Sequence, residues 1–300
     1  MQIIDGRKLA ARIRAEVKEE IARLGSTPGL AVILVGKDPA SHLYVALKEK
    51  ACTEAGIKFE KYVFSGTEPE SEIIETIRKL NGRDDIHGIL VQVPLPAIYH
   101  EDVILSTLDP SKDVDGFHQV NLRAILEGKP RIIPCVALAI VALVDEAIKQ
   151  KGDVSLFAHK KGDAPFLAVL IANRMEFAAP LEYLLEKRGA LVQIILRAKE
   201  VTTDISAQIK SADILIVARG HANFVSGDMI KDGAIVIDVG TNTLPDGKVV
   251  GDVDQGLALS KKGLSPMGDK PGYITPVPGG VGPMTVAMLL KNTLELAKNA

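Results

Sequence analysis

The chain has 300 residues, 47% apolar and 25% charged, enough to bury a sizeable core and of a length that usually divides into two domains. A formal charge of −2, with Lys and Arg spread along the chain, leaves no basic stripe, so no nucleic-acid partner is expected and any anionic ligand must be met by a local pocket. Cys52 and Cys135 stand far apart without ligand-spaced partners, which predicts reduced, buried thiols, no metal site and a cytoplasmic setting. The first ten residues carry Asp5 and Arg7, and no stretch approaches the roughly 20 apolar residues that cross a bilayer, so no membrane segment is expected.

Short β-branched runs alternate with segments of helical period, the pattern of parallel strands joined by crossover helices, and an α/β fold follows. In the first half the strands are predicted at 30–35, 59–64 and 88–93, with helices over 41–56 and 68–81 between them. Turn residues follow the strand ends at Gly36-Lys37-Asp38-Pro39 and Pro94-Leu95-Pro96, the edge where ligands bind in open α/β sheets. The second half has purer strands at 166–171, 191–196, 213–217 and 234–239, whose near-continuous apolar character predicts helices on both faces, as in a Rossmann-like, doubly wound domain. Pro and Gly recur over 116–134, which sets the domain division at 1–120 plus 280–300 against 121–279. The last helical segment, 284–300, follows a stiff Pro/Gly loop and is expected to return to the first domain and close a cleft between the two.

Tyr44 and Lys48 lie four apart on a predicted helix and project from one face. A partly desolvated lysine can lose its proton near neutral pH and act as a base, and a neighbouring phenol can restrain it; a solvated helix face is the plain alternative. Gln92 ends an apolar strand and needs a hydrogen-bond partner there, if only a backbone group. Asp113 and Asp115 alternate like a strand end, and either carboxylate can accept two donors from a ring N–H and its amino group.

Four segments carry a resemblance: Ser41-x-x-Tyr44-Val45-x-x-Lys48-x-Lys50-Ala51, Gly88-Ile89-Leu90-Val91-Gln92-Val93-Pro94-Leu95-Pro96, Lys112-Asp113-Val114-Asp115-Gly116-Phe117, and Pro276-Val277-Pro278-Gly279-Gly280-Val281-Gly282-Pro283-Met284-Thr285. In this order, over nearly the whole chain, they resemble the signatures of the bifunctional methylenetetrahydrofolate dehydrogenase/methenyltetrahydrofolate cyclohydrolase family. The resemblance implies that Lys48 is the central catalytic group, that Tyr44 and Gln92 tune it, and that Asp115 grips the pterin ring. It further implies a tetrahydrofolate site lined by Ser41, Val91, Pro94, Leu95, Pro278, Gly279 and Gly280, NADP on the second domain, and a homodimer.

The nucleotide loop departs from the family pattern Gly-Arg-Ser-x-x-Val-Gly-x-Pro, reading Ala172-Asn173-Arg174-Met175-Glu176-Phe177-Ala178-Ala179-Pro180. Its two glycines, which let backbone amides approach phosphates, are replaced by Ala172 and Ala178, and Glu176 sets a negative charge where a phosphate would sit. Leu196-Arg197-Ala198-Lys199 lacks the usual His-Ser-x-Thr run, Arg219 replaces a small or apolar residue beside Gly220, and the connection over 151–165 is longer than usual. The family's phosphate-binding Arg and Ser fall on Asn173 and Arg174, Arg197 or Lys199 can still meet a phosphate, and Thr241 stands where the family lines the nicotinamide end; Ala172, Gly220 and Gly240 complete the expected cofactor-binding set. The expectation is therefore that hydrolysis, which needs no nucleotide, is retained and hydride transfer is weakened, with NAD or no cofactor as alternatives to NADP. A cyclohydrolase alone, or a folate-binding or dimer-forming protein without turnover, are the competing readings.

Overall fold

A computed structural model describes residues 1–152, 166–260 and 272–300, so that most of the longer connection expected over 151–165 lies outside the described residues. In chain order the first elements are β1 (Gln2–Ile3), α1 (Gly6–Leu24), β2 (Gly29–Val35), α2 (Pro39–Ala55), β3 (Lys58–Phe64), α3 (Glu70–Asn81), β4 (Gly88–Val91), α4 (Glu101–Ser106), α5 (Gln119–Leu126) and α6 (Cys135–Lys151). They are followed by β5 (Leu167–Ala172), α7 (Met175–Glu186), β6 (Leu191–Leu196), α8 (Thr203–Ser211), β7 (Ile214–Ala218), β8 (Ile235–Asp238), the hairpin pair β9 (Asn242–Thr243) and β10 (Val249–Val250), α9 (Gln255–Ser260), β11 (Tyr273–Ile274) and α10 (Val281–Lys298).

The chain divides into two compact units, one of Ala10–Cys135 with Thr285–Ala300, the other of Met1–Leu9 with Val136–Met284. Residues 1–9, assigned above to the first domain, go with the second unit because β1 pairs in parallel with β11. Residues 121–135, assigned above to the second domain, go with the first, where the Asn121 amide donates to Asp113 at 2.9 Å and the Cys135 N–H to the Asp115 carbonyl at 3.1 Å.

The first unit holds a parallel sheet in the order β3-β2-β4. All seven residues of β2 are buried, and Ile33, Ile73, Ile77, Leu80, Ile86 and Ile89 fill the core beneath α3. Each fully buried aliphatic chain contributes about 1.5–3 kcal/mol relative to exposure. In α2, Asp38 caps the N-terminus by accepting the Ser41 N–H at 2.8 Å, Pro39 opens the first turn, and Gly56 closes the helix in the left-handed region at φ 87°.

The second unit holds a six-stranded sheet in the order β1-β11-β8-β7-β5-β6, parallel throughout. The strands β5, β7 and β8 are buried almost end to end, as strands covered on both faces must be, whereas the edge strand β6 is half exposed and admits Gln193. Chain order and sheet order reverse once in each sheet: β2 has β3 on one side and β4 on the other, and β5 has β6 on one side and β7 on the other. Such a reversal opens a crevice at the carboxyl ends of the two flanking strands.

Candidate active site

At the first reversal, the loop after β2 leads into α2, and Lys48, two turns past Ser41, extends its ammonium to the end of β4. There Lys48 Nζ donates to Gln92 Oε1 at 2.6 Å, and Gln92 Nε2 donates onward to the Val93 carbonyl at 2.8 Å. Gln92 is 8% exposed, so the amide sits inside the protein with both ends satisfied. Burial lowers the Lys48 pKa below its ordinary value, opposed first by the negative charge of Asp115 and then by Cys135 and Cys52. Burial likewise raises the Asp115 carboxyl, against the pull of Lys48. A lysine and an aspartate each pushed toward neutrality at one crevice are suited to hand a proton back and forth.

The two aspartates that the sequence leaves open separate here. Asp113, 3% exposed, accepts the N–H groups of Gly116 (3.0 Å) and His118 (2.8 Å) and the amide of Asn121 (2.9 Å), so its acceptors are spent on the turn. Asp115 carries the field at Lys48. Its segment is held by two residues the sequence reading did not assign. Asn292 of α10 donates to the carbonyls of Val114 (3.0 Å) and Ile133 (3.1 Å), and the Cys135 thiol donates to Val114 at 3.2 Å. No local motif marks Asn292; its partners lie more than 150 residues earlier in the chain.

Tyr44 is 46% exposed and makes no hydrogen bond to Lys48, whose head is taken by Gln92 instead. Ser41 is buried at the cap of α2, where its N–H and hydroxyl lower the Asp38 pKa. Val91 is buried as the last residue of β4, Pro94 is exposed, and the Leu95 N–H is fixed by Glu101 at 3.1 Å. Pro278, Gly279 and Gly280 belong to the other unit; Gly280 is buried where a Cβ would lie 2.7 Å from the Thr275 Cβ. Both cysteines are free and buried, and burial pushes the Cys52 thiol up to about 12.

At the second reversal, β5 is followed directly by Asn173 and Arg174, β6 by Arg197 and β7 by Arg219. Asn173 Oδ1 accepts from Arg219 at 3.1 Å, its Nδ2 donates to the Arg219 carbonyl at 2.9 Å, and its own carbonyl accepts from Arg197 Nε at 3.3 Å. Arg219 Nε donates to the Ala198 carbonyl as well. Arg197 is non-glycine at φ 53°, a left-handed conformation that costs on the order of 1–3 kcal/mol and is retained where the surroundings demand it. Ala172 and Ala178, expected to set methyl groups against a phosphate, are both fully buried in the core, so neither presents surface at the edge. Glu176 occupies the first turn of α7, where a negative charge suits the helix dipole.

The neighbouring loops are fixed by two carboxylates that the sequence reading passed over. Asp252 accepts the N–H groups of Arg219 (2.6 Å), Gly220 (2.9 Å) and His221 (2.8 Å) and the amide of Asn242 (2.9 Å). Asp238 accepts from Gly240 (3.0 Å), Asp252 (2.9 Å) and Val253 (3.0 Å), and burial raises its pKa to about 7. The Gly240 N–H is thus engaged internally, and the residue is glycine because a Cβ would stand 2.2 Å from the Asp252 carboxyl carbon. Gly220 has open space around it and a φ of 68°, and Thr241 is exposed.

Comparison with known proteins also finds two parts in the chain. The family described as "Tetrahydrofolate dehydrogenase/cyclohydrolase, catalytic domain" matches residues 4–115, and its "NAD(P)-binding domain" matches residues 134–300. "Bifunctional protein FolD" of Nautilia profundicola is 44% identical, covering 100% of this chain and 98% of its own, and the protein of the same name from Moorella thermoacetica is 43% identical, covering 99% of both. Among solved structures, the bifunctional FolD enzyme of Campylobacter jejuni superposes with a TM-score of 0.85 at 41% identity, covering 100% of this chain and 99% of that one. The Trypanosoma brucei methylenetetrahydrofolate dehydrogenase-cyclohydrolase, solved with NADP and an inhibitor, superposes with a TM-score of 0.83 at 35% identity, covering 99% and 97%. The two lysine- and arginine-bearing edges therefore sit in a chain that belongs to the tetrahydrofolate dehydrogenase/cyclohydrolase family.

Proposed function

We propose that the chain hydrolyses 5,10-methenyltetrahydrofolate to 10-formyltetrahydrofolate and oxidises 5,10-methylenetetrahydrofolate with NADP. The observation that carries the first step is the Lys48–Gln92 bond of 2.6 Å at the end of β4, with Lys48 lowered by burial. Neutral Lys48 Nζ takes a proton from water as the oxygen adds to the electron-poor methenyl carbon. Gln92 holds the amine through one N–H, which leaves the nitrogen lone pair for that proton. As positive charge forms on Nζ, the Asp115 carboxylate stabilises it, and the same group accepts the donors of the pterin ring. That proton then passes to the ring nitrogen that leaves the one-carbon unit as the ring opens, and the hydroxyl's remaining proton is released to solvent as the formyl carbonyl forms.

For the second step, the nucleotide when bound supplies the hydride acceptor. Arg174, Arg197 and Arg219 are the residues that would hold its phosphate, and among the described residues none of them forms an ion pair with a carboxylate. The weakening of hydride transfer expected from the loop finds no support: both glycine replacements are buried, and relatives 42–44% identical over the full length bear the bifunctional name. A cyclohydrolase without a nucleotide is not favoured by any of these observations. Purified protein should carry out both conversions, and Lys48→Met should stop hydrolysis while the protein remains folded; hydrolysis at the original rate in that variant removes the mechanism.

A homodimer in the cytoplasm completes the reading. The edge strand β3, with Val63 55% exposed, supports a partner surface, and the two buried free thiols support a reducing compartment. No helix among the described residues is long and apolar enough to cross a membrane. Light scattering on the purified chain tests the dimer.

A further inference from the structure

We propose that Arg219 is a specificity-determining residue that selects a dinucleotide carrying a 2′-phosphate on its adenosine ribose; the assignment rests on the nucleotide reading above. In doubly wound domains the adenosine ribose lies beyond the second strand, where an acidic residue accepts a 2′-hydroxyl or an arginine meets a 2′-phosphate. The second strand here is β6, and it runs into Arg197 with no carboxylate between them. Arg219 directly follows the third strand, β7, which the sheet order sets on the far side of β5 from β6. Its guanidinium nevertheless spans the edge, bonding the Ala198 carbonyl after β6 through Nε and Asn173 after β5 through Nη1 at 3.1 Å.

That geometry is held at both ends. The Arg219 N–H is fixed to Asp252 at 2.6 Å, and the Asn173 amide returns a bond to the Arg219 carbonyl at 2.9 Å. Among the described residues no ion pair joins Asp252 to the guanidinium; its oxygens accept three main-chain N–H groups and the Asn242 amide instead. Of the five N–H donors of an arginine, two are used, and both go to neutral oxygens. Arg197, held in a left-handed conformation, meets the same residue: its Nε donates to the Asn173 carbonyl at 3.3 Å while its main-chain N–H donates to the Ala172 carbonyl. Two guanidiniums fixed on one residue, Arg219 on the Asn173 side chain and Arg197 on its main-chain carbonyl, with no ion pair to a carboxylate among the described residues, match a doubly charged phosphate and gain little from a hydroxyl. A further guanidinium is thereby supplied to this edge from just after a strand 45 residues later in sequence, from Arg174 to Arg219.

The test is calorimetric titration of the full chain with adenosine 2′,5′-bisphosphate and adenosine 5′-monophosphate, which differ only in the 2′-phosphate, and with NADP and NAD. Wild-type protein is expected to prefer the 2′-phosphorylated ligand of each pair. Arg219→Gln should weaken those two ligands about tenfold or more, the scale of a lost charge-assisted bond, and the other two by less than about twofold. Arg219→Lys, which keeps the charge and loses the fork, should fall between, with its preference more sensitive to salt. An Arg219→Gln protein that keeps the full preference overturns the proposal. Equal weakening of both members of a pair also overturns it and leaves Arg219 as a brace of the sheet edge. If Arg219→Gln does not fold, the lysine variant decides, since an unchanged preference there with unchanged salt dependence again overturns the assignment. Wild-type protein that binds neither NADP nor NAD would instead remove the nucleotide reading itself.

Discussion

In the first unit the strand order reverses around β2, and the crevice is furnished by a lysine, an amide and an aspartate; in the second it reverses around β5, and the crevice is furnished by arginines. The same topology thus supports opposite electrostatics. Burial lowers the Lys48 pKa and raises that of Asp115, which brings the two closer together and favours proton exchange at this edge. Arg197 is exposed and Arg219 half-buried, and each offers a planar fork of donors at the solvent edge. Residue type and burial together decide whether a cation at such an edge does chemistry or recognition.

The sharpest way to break this contrast is Lys48→Met. Hydrolysis should fall roughly a hundred- to ten-thousand-fold, the usual range for a general base, while NADP affinity by calorimetry stays unchanged. A parallel loss of nucleotide binding would mean that the two edges are not separate in function.

The pH profile sharpens the first edge further. Hydrolysis should rise with pH through the lowered pKa of Lys48 as Nζ becomes neutral. Asp115→Asn removes the charge that raises that pKa, so the rising limb should move to lower pH, along with a loss of substrate affinity. A limb that stays in place in this variant assigns the titration to another group.

At the second edge, Asp238→Asn should destabilise its unit by about 1–3 kcal/mol, because an amide nitrogen would then confront one of three main-chain N–H donors. The carboxyl also sets a pH dependence. Its folded pKa is raised from 3.8 to about 7, so its contribution to stability is full below about pH 4 and is lost as pH rises through 7. Thermal unfolding between pH 4 and 8 should show that decline in the wild type and a flatter curve in the asparagine variant.

Two smaller effects probe the supports of the first edge. Asn292→Ala leaves the Val114 and Ile133 carbonyls without their donor and should cost about 1–3 kcal/mol in denaturant unfolding, with a slower hydrolytic step. Asp38→Ala removes the cap of α2 and should cost about 1 kcal/mol, with Lys48 chemistry little changed.

Much of the first edge was legible before folding. The strands at β2, β3 and β4 and the helix α2 are written in β-branched runs, a cap and a Pro-opened first turn; Lys48 stands in the middle of α2 and Gln92 just after β4. The Tyr44–Lys48 pairing was not confirmed, because four-residue spacing places two side chains on one face without deciding which partner the ammonium chooses. Asp113 and Asp115 were indistinguishable as a pair; only the turn that spends one of them on Gly116, His118 and Asn121 separates them.

The doubt that the sequence raised at the second edge finds no support, for a physical reason. Glycine loss reads in sequence as blocked phosphate access, yet a methyl matters only where it points, and Ala172 and Ala178 are buried. What the sequence determined by itself is the set of elements, through periodicity and turn chemistry, and the family, through four ordered motifs. What tertiary structure decided is which distant residues share an edge. A parallel sheet sets strands beside each other in an order unlike the chain's, so Arg174, Arg197 and Arg219 gather at one rim, and Asn292 closes over Asp115's segment from the far end of the chain. Burial then sets the charge of each group, and burial is a property of the packed whole that local sequence does not encode.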